Sequence, residues 1–450
     1  MHTKTTNSVA LFLVLLLLGQ TMLFSFDSSS PVTSLDSEFE SSESPSVSGR
    51  NGSSAQVWST PVSLDSTDEV GEDSSLAIDS NDNLHVTYRD ATNNNLEYMT
   101  HDGSSWSTPV SLDSTGDVGR ESSLAIDSND NLHVTYFDLT DENLEYMTYD
   151  GSSWSTPVSI DSTDSVGWDS SLAIDSNDNL HVTYYDYTSR NLEYMTYDDS
   201  TSSWSTPVSI DSTDVVGQVS SLAIDSNDNL HVTYHDWTNS NLEYMTTGNN
   251  TGGNSTQVWS TPVSLDSQGN NLMASSLAID SNDNLHVTYY DFTDGSNLEY
   301  MTYDGSSWST SVSLDSTGEV GQYSSLAIDS NDNLHVTYFD DTNDNLEYMA
   351  YDGSSWSTPV SLDSTNGCCI GEHSSLAIDS NDNLHVTYFD NKNDNLEYMM
   401  TANNTDGNNT VIINDEDADE DGSLPSIGVA GTVMAISAGL FIAIRREDEQ

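Results

Sequence analysis

The chain has 450 residues and carries 73 acidic residues against 8 basic ones, a formal net charge of −65. The basic residues are Lys4, Arg50, Arg89, Arg120, Arg190, Lys392, Arg445 and Arg446. They are too few and too scattered to neutralise phosphates, so nucleic-acid binding and docking on anionic lipid are excluded. An apolar fraction of 35%, with 22 Tyr and 9 Trp, suffices for a core, and two cysteines exclude a disulfide framework.

Residues 1–26 read as a secretory signal: Lys4 precedes an apolar run from Leu11 to Leu18 that continues to Phe24. An uncleaved anchor is the alternative. Residues 27–55 are Ser-rich and acidic, as in a flexible linker.

From residue 56 to 402 the sequence repeats. The segment Ser-Ser-Leu-Ala-Ile-Asp-Ser-Asn-Asp-Asn-Leu-His-Val-Thr-Tyr occurs seven times unchanged, its histidine at positions 85, 133, 181, 231, 286, 335 and 385. A period near 50 residues indicates a propeller or a solenoid. The first full unit holds four strand-like runs, Ser75–Asp79, Leu84–Asp90, Leu96–His101 and Trp106–Asp113, separated by Asn-, Asp-, Gly- and Ser-rich turns. A longer link, Ser114 to Glu121, leads to the next unit. Four antiparallel strands per unit predict an all-β, seven-bladed β-propeller. The first run, Val57–Asp65, has the fourth-strand pattern and the last, Leu396–Met400, the third. The N-terminal strand is therefore expected to complete the last blade and remove the open edges.

Residues 403–426 form an acidic, Asn/Asp-rich linker, and 427–444 an uncharged apolar segment. At about 1.5 Å per residue this segment spans roughly 27 Å, enough for a transmembrane helix. Arg445 and Arg446 begin a tail, 445–450, expected on the cytoplasmic side. The sequence thus predicts an exported propeller anchored in the plasma membrane by its C-terminal helix. Glycosylation sequons stand at Asn51, Asn249, Asn254, Asn403 and Asn408.

The turn Thr148-Tyr149-Asp150-Gly151-Ser152-Ser153-Trp154 and its copies at Asp102, Asp304 and Asp352 resemble a shortened Asp box of sialidase-type (BNR-like) propellers. One residue between Asp and Gly is missing. The resemblance covers the turns only and implies a structural role, with Asp capping the turn and Trp packing between strands. In that family three arginines hold a sugar carboxylate. Here Arg89, Arg120 and Arg190 are the arginines of the ring, at different positions of the unit. No Arg-Ile-Pro motif occurs, and the unit count is seven rather than six.

Comparing the copies with one another locates the variation. It concentrates in the links between units and the second turn, which share one face. The link positions hold Glu72/Asp73, Arg120/Glu121, Trp168/Asp169, Gln218/Val219, Leu272/Met273, Gln322/Tyr323 and Glu372/His373. These links are expected to surround the axial opening. The residues expected to bind ligand on this face are Trp168, Tyr187, Trp237, Tyr323, Arg89, Arg120, Arg190 and His373, the aromatics by stacking on sugar rings. The seven repeat histidines radiate rather than converge and are expected to pack between blades. Asp79, Asn81 and Asn83, with their copies, have the alternating oxygens of a loose calcium loop, against the alternative of an Asx turn. No other cofactor is indicated. Adjacent Cys368 and Cys369 form either a vicinal disulfide or two thiols.

The leading reading is non-enzymatic recognition or adhesion at the cell surface, the partner an extracellular glycan or polymer. A sialidase-like glycoside hydrolase and a structural coat protein without specific ligand are the alternatives.

Overall fold

In the computed structural model, residues 56–248, 258–266, 272–292, 295–364 and 369–401 are described. The signal, both linkers, the transmembrane segment, the tail, all five sequons and Cys368 lie outside them.

The strands assemble into seven antiparallel sheets arranged as the blades of a ring. In blade one the order from the axis outward is Val70–Ile78, Leu84–Asp90, Asn95–His101 and Val110–Asp113. The last blade consists of Ile370–Ile378, Leu384–Asp390 and Asn395–Met400, completed by the N-terminal strand Val62–Asp65. Val62 pairs with Tyr398 and Trp58 bridges Thr401, so the ring closes as the sequence predicts.

Strand bounds differ from expectation at two places. The outermost strand is shorter, Val110–Asp113, with Trp106 forming a separate bridge to His101. The innermost strand is longer and starts at Val70, so the end of the expected link is strand. Two bulges explain this. Val70 pairs with Asp90, Glu72 with Arg89 and Ser75 with Thr87, so the inner strand carries an extra residue in each interval. The period-2 pattern is interrupted there, and the sequence reads as a loop. The glycine in the first bulge is required sterically: at Gly167, φ is 101° and an added Cβ would lie 2.7 Å from Cα of Leu144 in the preceding blade. Blade five lacks this glycine and the first bulge, Leu272 pairing with Asp291 and Met273 with Tyr290. The variable pair of that blade is therefore Met273/Ala274, one residue later than the sequence comparison places it.

The core lies between blades. Leu96 and Tyr98 of blade one pack against Leu124, Leu132, Val134 and Tyr136 of blade two, and equivalent clusters fill the other six seams. Each second strand is buried on both faces. Its alternating polar residues are bonded there: Thr87 Oγ1 lies 3.0 Å from Ser122 Oγ, and Tyr136 donates to Asp113 at 2.7 Å. The repeat histidines sit within one blade rather than between two. His85 Nδ1 is 2.6 Å from Tyr98 Oη of the next strand, while Nε2 faces Asp79 at 3.5 Å.

The seam between blades seven and one repeats the bonds common to the other seams. Tyr88 donates to Asp65 at 2.8 Å, the Leu76 amide to Ser375 Oγ at 3.0 Å, and Ser380 to Asp82. Trp106 packs edge-on against Tyr398, as Trp154 does against Tyr98. The Asp-box-like turns behave as the resemblance implies, Asp102 accepting from the Ser104 and Ser105 amides at 3.0 Å.

Candidate functional site

The second bulge places one residue per blade in the left-handed region: Asp73, Glu121, Asp169, Val219, Ala274, Tyr323 and His373, with φ between 45° and 52°. Such φ values are unusual for Val and Tyr, so the ring must hold them. These residues, with the serine that follows each, line an axial cavity of about 240 Å³. The expectation that the variable positions surround the axis is met, although they sit on strands rather than loops.

The cavity is asymmetric. Asp73 Oδ2 accepts the Glu121 amide at 3.0 Å, the Glu121 carboxylate accepts the Asp169 amide, and Asp169 interacts likewise with the Val219 amide. Val219 and Ala274 have no acceptor, so the relay ends. Beyond them the Tyr323 ring lies 4.4 Å from the His373 ring, and His373 Nδ1 pairs with Asp73 Oδ1 at 2.9 Å. Burial opposes charge on both members of that pair. The mutual attraction outweighs it, lowering the Asp73 pKa and raising that of His373. Burial, reinforced by Asp169 and Asp73, pushes Glu121 well up, and burial raises Asp169 too. The cup can therefore give and accept protons and hydrogen bonds.

The three arginines of the ring have different surroundings. Arg89 is 5% exposed and locked between Glu72 and Asp117, the latter at 3.2 Å. Arg120 turns to the same Asp117 at 3.3 Å. Arg190 sits apart on the exposed second turn of blade three, with φ of 64°. Two of the three arginines thus neutralise carboxylates of the protein itself.

The other three expected aromatics, Trp168, Tyr187 and Trp237, lie in blades three and four and begin an arc that Phe292 extends. Trp168, next to cavity-lining Asp169, stacks on Phe137 with centroids 4.2 Å apart and reaches Tyr187 at 6.2 Å. Tyr187, Trp237 and Phe292 occupy the same turn position in blades three, four and five and are 61%, 47% and 51% exposed. Each meets a second-strand ring, namely Tyr185, His235 or Tyr290, in an edge-on arrangement. The other blades place Ala91, Leu139, Asp341 and Asn391 there. Asp73, Glu121, Asp169, His235 and Phe292 were not among the residues expected to bind ligand. Their signal was divergence between copies, which the sequence shows without ranking.

The turn of the calcium-loop reading has the hydrogen bonds of its alternative, an Asx turn. Asp79 Oδ1 accepts the Asn81 and Asn83 amides at 2.9 and 2.8 Å, and Oδ2 accepts Asn83 Nδ2 at 2.8 Å. This is an Asx turn with its oxygens committed to N–H donors. Among the described residues no group of three His, Cys, Asp or Glu is placed to hold a metal.

No protein-family model matches the chain, and no curated protein matches it. Solved structures do match. A protein of unknown function from Dyadobacter fermentans is 9% identical with a TM-score of 0.47, over 76% of this chain and 97% of its own. The Aleuria aurantia lectin, in complex with Fucα1-6GlcNAc, is 14% identical with a TM-score of 0.44, over 67% of this chain and 99% of its own. The NanB sialidase of Streptococcus pneumoniae is 12% identical with a TM-score of 0.43, over 75% of this chain and 69% of its own. Likeness at this level carries no argument about function.

Proposed function

We propose that this is a cell-surface recognition protein, exported and membrane-anchored, whose variable face binds an extracellular glycan or polymer. The arc of Tyr187, Trp237 and Phe292 carries this reading. Three exposed aromatics at equivalent positions of adjacent blades offer a row of flat apolar platforms on a rigid frame. Sugar rings present C–H faces that stack on such platforms, and repeated weak contacts add through avidity. The test is a glycan array probed with the purified chain and with the triple variant Tyr187→Ala/Trp237→Ala/Phe292→Ala. Binding by the wild type that falls at least tenfold in the variant supports the reading. A blank array overturns it in favour of a structural coat.

A second reading, glycoside hydrolysis, is favoured by one observation: Glu121 and Asp169 are adjacent carboxyl groups in an axial cup, both with raised pKa. A carboxyl group whose pKa is raised by burial is better suited to act as a general acid. Turnover of chromogenic glycosides that Glu121→Gln abolishes would establish it.

A further inference from the structure

His235 is the histidine among seven equivalent positions. The others hold Arg89, Phe137, Tyr185, Tyr290, Phe339 and Phe389. His235 is buried, with 3% of the residue exposed, and its Nε2 has no hydrogen-bond partner. A buried polar atom without a partner is costly to the fold, and three other blades avoid that cost with phenylalanine. The ring meets Trp237, half exposed on the adjoining turn, edge-on at 5.5 Å. Burial lowers the His235 pKa to about 4, so the imidazole is neutral at physiological pH.

We propose that blade four holds a subsite for one neutral sugar residue, Trp237 giving the stacking platform and His235 Nε2 the hydrogen-bond partner for a hydroxyl group. Nε2 is buried in the free protein, so ligand access requires a local shift that exposes it. The ligand class follows from charge: no Lys or Arg occurs between Arg190 and Lys392, so blades four and five have no cation for a sugar carboxylate. This inference rests on the recognition reading and assigns its central subsite.

The experiment measures binding of the full chain to β-1,4-linked hexaoses of glucose, mannose and N-acetylglucosamine, with sialyllactose as the anionic arm. Variants are His235→Phe, Trp237→Ala and Arg190→Ala. The expected result is binding of a neutral hexaose that weakens at least tenfold in His235→Phe and Trp237→Ala, while the melting temperature of His235→Phe is unchanged or higher. A neutral hexaose bound equally by wild type and His235→Phe overturns the subsite and leaves the recognition reading standing. Preferred binding of sialyllactose that Arg190→Ala abolishes overturns the neutral-sugar assignment. Failure of all four probes overturns the subsite, and the glycan array then decides the recognition reading separately.

Discussion

His373 and Asp73 form an ion pair at 2.9 Å across the seam where the last blade meets the first. They are 300 residues apart in the chain, so the pair exists only if the ring is closed. The His373 pKa is raised, so its contribution is fully present below 6.5 and is lost as pH rises through the folded value. The Asp73 pKa is lowered, so its contribution is present above 3.8 and is lost as pH falls. Asp73→Asn should cost about 1.5–3 kcal/mol at pH 5.5, the range for a charged hydrogen bond. It should cost clearly less at pH 9. Urea unfolding at the two pH values checks this, and equal losses would refute the pair.

The third-strand glutamates behave differently. Burial raises the Glu347 pKa from 4.5 to about 7, with Asp340 adding to the effect. A raised carboxyl pKa stabilises the fold below 4.5, and the contribution is lost as pH rises through about 7. The loss is at most about 3 kcal/mol. Glu347→Gln removes the titration, so its melting temperature should fall less than that of the wild type between pH 5 and 8. Parallel curves would show that Glu347 stays ionised.

Closure can be tested at the Tyr–Asp bonds between blades. Asp65 on the N-terminal strand accepts from Tyr88 as Asp161 accepts from Tyr184. If the N-terminal strand is a full member of the last blade, Asp65→Ala and Asp161→Ala should cost the same, about 1.5–3 kcal/mol each. A silent Asp65→Ala would mean that the strand is not docked.

The acidic turns form a belt of hydrogen bonds between blades. Ser80 donates its amide and hydroxyl to Asp130 of the next blade at 2.9 and 2.7 Å, and the same pairing recurs at the closing seam. EDTA should leave the melting temperature unchanged, whereas Asp130→Ala should lower stability by about 1 kcal/mol. A drop with EDTA that calcium restores would reverse this assignment.

The strand count, the blade count and the closing strand were legible in the repeat. A segment copied seven times unchanged exposes its own period, and leftover strands at its two ends complement each other. The aromatic arc was partly legible, since Tyr187 and Trp237 stand where the copies diverge. Arg89 was not: its guanidinium looked available for ligand until Glu72 and Asp117 were seen to enclose it. Neither residue is near it in the chain, at 17 and 28 positions away.

The sequence by itself determined the ring, because blade formation depends on local strands and turns that recur in every copy. Tertiary structure alone decided what the variable residues do. Bulges invisible to a period-2 pattern turn Asp73, Glu121 and Asp169 into the axis, and contacts across seams select which charges are spent on the fold. Part of the net charge of −65 is that expenditure: Asp79, Asp82, Asp65 and their copies accept hydrogen bonds within and between blades.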